Sequence, residues 1–312
     1  MNSNRKFFNF VYLVYFVVKN CNLPGRRPAL QIKNMKHLLL TAALAATATN
    51  LALAQPAPKP KIVETIIDGV AGFQDTPMQP DGKWHVHDPA RPQPVIVTPG
   101  NTFSQQAAPP SDAMVLFDGK DLSQWRDKKT GGEPQWKIED GVMVSAKGDI
   151  LTTNKFGDIQ LHLEFKEPTP PKESGQGTGN SGIYFMGLYE IQILDCYGNK
   201  TYADGATGGL YGQHPALANA CRPPGEWSTY DCIFTAPRFD ADGKIISPAY
   251  LTATLNGVVV QNHQAFRGAT NWRSPGDYKA HAAELPLLLQ YHNNSVAFRN
   301  IWVRNVPLVN EP

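Results

Sequence analysis
Ile159-Gln160-Leu161-His162-Leu163-Glu164-Phe165-Lys166 alternates apolar and polar residues without a break. Successive side chains of a β-strand point to opposite faces, so this stretch has one apolar face and one polar face. The same period recurs on both sides of it. Tyr189, Ile191 and Ile193 alternate with Glu190 and Gln192, and Leu251, Ala253 and Leu255 with Thr252, Thr254 and Asn256. Leu287, Leu289 and Tyr291 alternate with Gln290 and His292. Asn256-Gly257 and Asp140-Gly141 each lie between apolar runs, the signature of a two-residue type I′ hairpin turn. No segment carries a long amphipathic helical stripe. Many half-wet strands with such turns predict an all-β fold, a two-sheet antiparallel β-sandwich over residues 112–312.

The rest of the chain bounds its surroundings. The 312 residues carry a formal net charge of +2 and no long Lys/Arg run, so neither a nucleic-acid nor a membrane-surface partner is implied. Met35-Lys36-His37 followed by the Leu/Ala-rich stretch 38–54, ending Ala52-Leu53-Ala54, reads as a secretory signal over 35–54. A buried N-terminal helix is the alternative. The signal predicts a periplasmic or secreted protein. The residue directly after its cleavage site is Gln55 and not Cys, and the stretch is marginal for a bilayer span, so no membrane anchor is expected. An export signal acts from the start of a chain. Met35 is therefore the expected start and 1–34 an expected upstream read-through, with a longer leader as the alternative. Residues 55–111 are rich in Pro and Gln and read as an irregular arm packing on the sandwich, with a short strand at 61–67. Trp84-His85-Val86-His87-Asp88 is expected to be ordered within it.

Cys196, Cys221 and Cys232 follow the signal. Cys232 alternates with Tyr230 and Phe234 like a buried strand residue, whereas Cys196 and Cys221 sit in Gly/Pro/Asn-rich loops, which favours a Cys196–Cys221 bridge. Three free thiols are the alternative. No C-x-x-C spacing suggests a metal site.

Several segments, taken in order, carry a family likeness. They are Leu116-Phe117-Asp118-Gly119-Lys120-Asp121-Leu122-Ser123-Gln124-Trp125, then Asn180-Ser181-Gly182-Ile183-Tyr184-Phe185, then Tyr189-Glu190-Ile191-Gln192-Ile193-Leu194-Asp195. Gly209-Leu210-Tyr211-Gly212, Pro224-Gly225-Glu226-Trp227, Leu289-Gln290-Tyr291-His292 and Phe298-Arg299-Asn300-Ile301 complete the series. Together, from about 114 to 306, they resemble the 3-keto-disaccharide hydrolase family. The resemblance implies a concanavalin A-like jelly-roll sandwich and a small carbohydrate as substrate. It supports fold more strongly than substrate.

Glu190 and Gln192 are two residues apart and leave the same sheet face, as do Gln290 and His292. If both strands share the concave sheet, a carboxylate, two amides and an imidazole converge on one cleft. A ketone at C3 of a sugar acidifies the C2 hydrogen. A base can then form an enolate that expels the C1 substituent, and water adds to the alkene. This route needs a base, an enolate stabiliser and an acid. Glu190 or His292 is the candidate base. Arg299, or a divalent cation, would steady the enolate, and Asp195 would be the acid or a metal ligand. Asn180, Gln192, Tyr211 and Gln290 are the candidate sugar contacts, with Tyr211 offering a ring to stack. Each has a plainer alternative. Glu190 and His292 are solvated surface groups, Asp195 caps a turn before Gly198, Arg299 makes a structural ion pair, and Tyr211 packs a loop. His162 and Glu164 are assigned to a convex strand. A non-catalytic carbohydrate-binding module and an assembly domain docked through the arm are the rival functions. Residues 205–209 lack the Lys-Ser/Thr ending of a phosphate loop, and no G-x-S-x-G or H-E-x-x-H motif occurs.

Overall fold
The computed structural model describes residues 62–101 and 104–306. The expected read-through, the signal and the first residues of the arm lie outside the described residues. Two antiparallel sheets form the sandwich. The smaller has five strands in the order Tyr189–Ile193, Ser181–Phe185, Leu288–Leu289, Ile150–Thr152, Trp125–Asp127. The larger runs Val258–Ala265, Tyr250–Leu255, Ser228–Thr235, Ile159–Lys166, Ala297–Asn305, Val142–Val144, Lys137–Glu139, with Met114–Phe117 also pairing Ala297–Asn305. Among the described residues no helix is long and apolar enough to cross a membrane.

Strand alternation builds the core. Ile159, Leu161, Leu163 and Phe165 are buried with Tyr230, Cys232 and Phe234 of the neighbouring strand. Ile183, Phe185, Tyr189, Ile191 and Ile193 meet them from the smaller sheet. Phe185 and Phe234 stack across the gap with ring centroids 4.6 Å apart. Removing either ring would cost about 3–5 kcal/mol, because so dense an interior cannot close over the void. Asn256 and Gly257 have φ of 52° and 81°, and Asp140 and Gly141 have 52° and 74°, so both hairpins turn as their sequences predict.

The arm departs from expectation, because it is not irregular throughout. Glu64–Ile67 and Val70–Phe73 form a hairpin around Asp68-Gly69, at φ 50° and 79°. Val70 and Phe73 pack against Tyr202. Val95–Ile96 adds a parallel bridge to Ala218–Asn219. Val86 and His87 are buried, in line with the order expected of that stretch. His87 lies against Asp204, with Nδ1 3.2 Å from Oδ1, and the two stand with Gln79 and Arg91 in one buried polar cluster. Burial opposes the Asp204 charge, but His87 and Arg91 hold its carboxyl below the usual range.

The arm also covers the outer face of the larger sheet. Ser104 Oγ donates to Asp231 Oδ2 at 2.6 Å, and the Gln106 N–H donates to Glu164 Oε1. Asn300 Nδ2 donates to the Ala107 carbonyl. His162 and Glu164, expected on a wet face, are therefore fully buried, because the Gln106 N–H of the arm and the side chains of Asp231, Arg299 and Asn300 replace water around them. Cys232 is buried on its strand, and all three thiols are free, with Cys196 and Cys221 in hydrogen-bond contact.

Candidate active site
The outward face of the smaller sheet carries the even-numbered residues of Ser181–Phe185 and Tyr189–Ile193. Tyr184 is paired with Glu190, and Gly182 with Gln192, so these four share one face at adjoining positions. On the other side of Ser181–Phe185, Gln290 follows the short strand Leu288–Leu289. Its N–H donates to the Gly182 carbonyl at 3.0 Å, and its carbonyl accepts from Ser181 Oγ at 2.7 Å. The strand ends at Leu289, two residues before Tyr291, and His292 emerges beyond it, exposed at the rim.

These side chains line a cavity of about 150 Å³, together with Asn180 and Tyr211. Six residues expected at the site thus come together: Asn180, Glu190, Gln192, Tyr211, Gln290 and His292. Three more complete the wall, Tyr184, Thr270 and Trp272. Tyr184 was detectable, because it shares the parity of Gly182 on one strand. Thr270 and Trp272 come from the short hairpin Ala269–Asn271 and Ser274–Asp277, which has no alternation to reveal which way they face.

Glu190 is the buried carboxyl of the cavity wall. It is 2% exposed, and Oε2 has no hydrogen-bond partner among the described residues. Burial pushes its pKa up to about 8, the Tyr184 hydroxyl pulls it back in part, and the Asp149 charge adds to the rise. Its carboxyl leans over Gly182, where a Cβ would stand 2.4 Å from Oε1. Glycine at 182 is thus a requirement of the carboxylate beside it. Tyr184 accepts from Gln290 Nε2 at 3.1 Å, and burial raises its pKa far above the ordinary phenol, so it keeps its proton. Asn180 Nδ2 donates to the Gln176 carbonyl at 2.8 Å, and Gln192 Nε2 faces Gln176 Oε1 at 3.4 Å. The Tyr211 and Tyr202 hydroxyls are 2.9 Å apart.

Two expected members lie elsewhere. Arg299 is on the outer face of the larger sheet, where its Nε donates to Glu164 Oε2 at 2.8 Å and its guanidinium covers the Trp227 ring at 4.0 Å. The core separates it from the cavity, so the enolate role assigned to it is withdrawn in favour of the structural ion pair. Asp195 lies past the end of Tyr189–Ile193, where its Oδ1 accepts from the Tyr197 N–H at 3.0 Å. It caps that turn, and burial raises its pKa. Glu190 and His292 are donors of the kind that hold a divalent cation. Among the described residues, however, no cluster of three or more His, Cys, Asp or Glu side chains is arranged to bind one.

A family profile described as a 3-keto-α-glucoside-1,2-lyase-like domain matches residues 112–304. The chain belongs to the 3-keto-α-glucoside-1,2-lyase-like family. A crystal structure of a candidate glycosyl hydrolase from Parabacteroides distasonis ATCC 8503 is 46% identical, with 69% of this chain and 93% of that one covered at a TM-score of 0.63. A second such protein from the same organism is 23% identical, with 63% and 94% covered at a TM-score of 0.46. No curated protein matches. Membership of this lyase-like family and likeness to a candidate glycosyl hydrolase establish a carbohydrate-active protein with a β-sandwich fold. The residues of the family match include every wall of the cavity, while the arm precedes it.

Proposed function
We propose that this protein is an exported hydrolase or lyase that cleaves 3-keto-glycosides by C2 proton abstraction, elimination of the C1 substituent and hydration. The observation that carries this reading is the buried Glu190 carboxyl, pKa about 8, with an unpartnered oxygen in a cavity otherwise lined by polar and aromatic side chains. A base is most effective when its pKa lies near the working pH. At pH 7 roughly one Glu190 in ten is ionised, and each is a stronger base than an exposed carboxylate. The cavity of about 150 Å³ is of the size that takes a single six-membered ring such as benzene, room for one sugar ring rather than two.

In the proposed reaction Glu190 takes the C2 proton, and the C–H electron pair moves into an enolate with its charge on the C3 oxygen. Tyr184, which keeps its proton, donates a hydrogen bond to that oxygen. The pair then forms the C1–C2 double bond as the C1–O bond breaks. The departing oxygen receives a proton from His292 at the rim. Water adds its hydroxyl to C1 and its hydrogen to C2 to complete a hydrolysis, and release before that step makes the reaction a lyase. Asn180, Gln192 and Gln290 bind sugar hydroxyls. Retaining or inverting glycosidases instead need a facing pair of carboxylates. Among the described residues Glu190 is the only Asp or Glu lining this cavity.

The test is incubation with a 3-keto-disaccharide while keto-sugar release is followed. Glu190→Gln should lower kcat by about 10²–10⁴-fold. Unchanged turnover in that variant would remove Glu190 as base. Sugar affinity in the wild type without turnover would assign the protein to the binding modules.

A further inference from the structure
One groove adjoins the cavity. It has a volume of about 590 Å³, and Trp272 lines both spaces. Tyr202 and Gln176 stand between them, because each lines the groove while bonding to a residue of the cavity wall, Tyr211 and Asn180 respectively. The far wall is the arm hairpin, through Glu64, Ala71 and Phe73. Trp272 is 54% exposed, large for an indole beside a polar cavity. Its far side is held by the arm: Phe73 meets it edge-on at 6.0 Å, and His87 Nε2 is hydrogen-bonded to its carbonyl oxygen.

We propose that this groove is a subsite for the leaving-group half of the substrate, that its occupant is a second sugar ring, and that the N-terminal arm builds it. The inference rests on the 3-keto-glycoside reading. A cavity with room for one ring leaves the C1 substituent outside, and among the larger hollows formed by the described residues this one shares Trp272 with the cavity whereas three others share no wall residue with it. An exposed indole supplies a stacking face, and polar side chains around it supply hydrogen-bond partners, the combination a pyranose ring needs. Contacts to this remote ring would be used to orient C1 and C2 in the cavity.

The experiment compares a 3-keto-disaccharide with methyl 3-keto-glucoside, which has almost no leaving group to bind. Ala71→Trp fills the groove from the arm side without touching the cavity. It should lower kcat/KM for the disaccharide about tenfold and leave the methyl glycoside within about twofold. Trp272→Ala should likewise reduce the preference for the disaccharide. Equal losses on both substrates, or none, would overturn the subsite. If the wild type turns over neither substrate, the catalytic reading fails on its own, and calorimetric titration with the same two sugars still decides the subsite. Disaccharide binding about tenfold tighter than methyl glycoside, and lost in Ala71→Trp, supports it. Equal affinities refute it.

Discussion

Gly182→Ala should disable the site while sparing the fold. The added Cβ would stand 2.4 Å from Glu190 Oε1 and 3.1 Å from Cδ, whereas ordinary contact begins near 3.4 Å. The carboxyl must therefore withdraw by about 1 Å, and it can, because it is the free end of a side chain beside a cavity. The backbone can stay in place, so the stability loss should be about 1 kcal/mol or less. A displacement of that size at a reacting group costs about 10²-fold in rate. The pH profile adds a sharper signature. The wild-type kcat/KM should rise with pH, with the midpoint of the rise near 8 and a plateau about one unit above it, since the base must lose its proton. A Glu190 pushed from its dry niche towards solvent should titrate lower, so the rising limb should move to more acid pH in the variant. Turnover of a 3-keto-disaccharide between pH 5 and 10, with calorimetric melting as the control, makes the comparison. Wild-type activity with an unmoved limb would refute the argument that Glu190 needs this glycine. A collapsed melting temperature would mean that the strand pair, not the carboxyl, had yielded.

Three further outcomes are expected. Glu164→Gln should cost about 2–3 kcal/mol in urea unfolding, because Arg299 and His162 lose their shared anion beneath the arm; a loss under 0.5 kcal/mol would show that the cluster contributes little. Stability should also follow pH through two groups of this cluster. Burial lowers the His162 pKa, but Asp231 and Glu164 raise it to about 8, so about 2 kcal/mol is fully present below 6.5 and is lost as pH rises through 8. Burial raises the Glu164 pKa, but His162, Asn300, Gln106 and Arg299 lower it to about 2, so its contribution holds above about 4.5 and is lost as pH falls through 2. A stability plateau at about pH 4.5–6.5 is the result to look for, and a His162→Gln variant that keeps the alkaline loss would contradict the assignment. Finally, Cys196 and Cys221 should oxidise to a disulfide in air, read as a loss of two thiols by mass spectrometry, and the closed loop should add about 3.5 kcal/mol; persistent free thiols under mild oxidant would exclude it.

How far the sequence could be read depended on local period. Ile159–Lys166 and Tyr189–Ile193 have strict alternation, and a one-residue slip would expose a whole apolar face, so their registers were legible. That parity also placed Glu190 and Gln192 beside each other. Gln290 and His292 reached the same cavity although regular pairing ends at Leu289, because the chain stays extended past the last ladder bond. Arg299 misled because alternation tells which side of a strand a residue takes, not which sheet owns the strand. Asp195 misled because parity lapses at a strand end. Trp272 was invisible for lack of any period. The arm hid its hairpin among prolines, although Asp68-Gly69 carried the same turn signal as Asn256-Gly257.

The buried ties between arm and sandwich make residues 62–111 part of the same compact unit as the sandwich. Borders drawn at residues 112 and 304 mark what relatives share. A fragment trimmed there would lose His87, Gln79 and Arg91 from around Asp204, and the Gln106 amide from Glu164. Asp204 would then lose His87 and Arg91 as counter-charges, Glu164 would face water beside Arg299, and the hairpin that backs Trp272 would be gone. Anyone recombining this module with other enzymes should therefore carry the preceding fifty residues along with it.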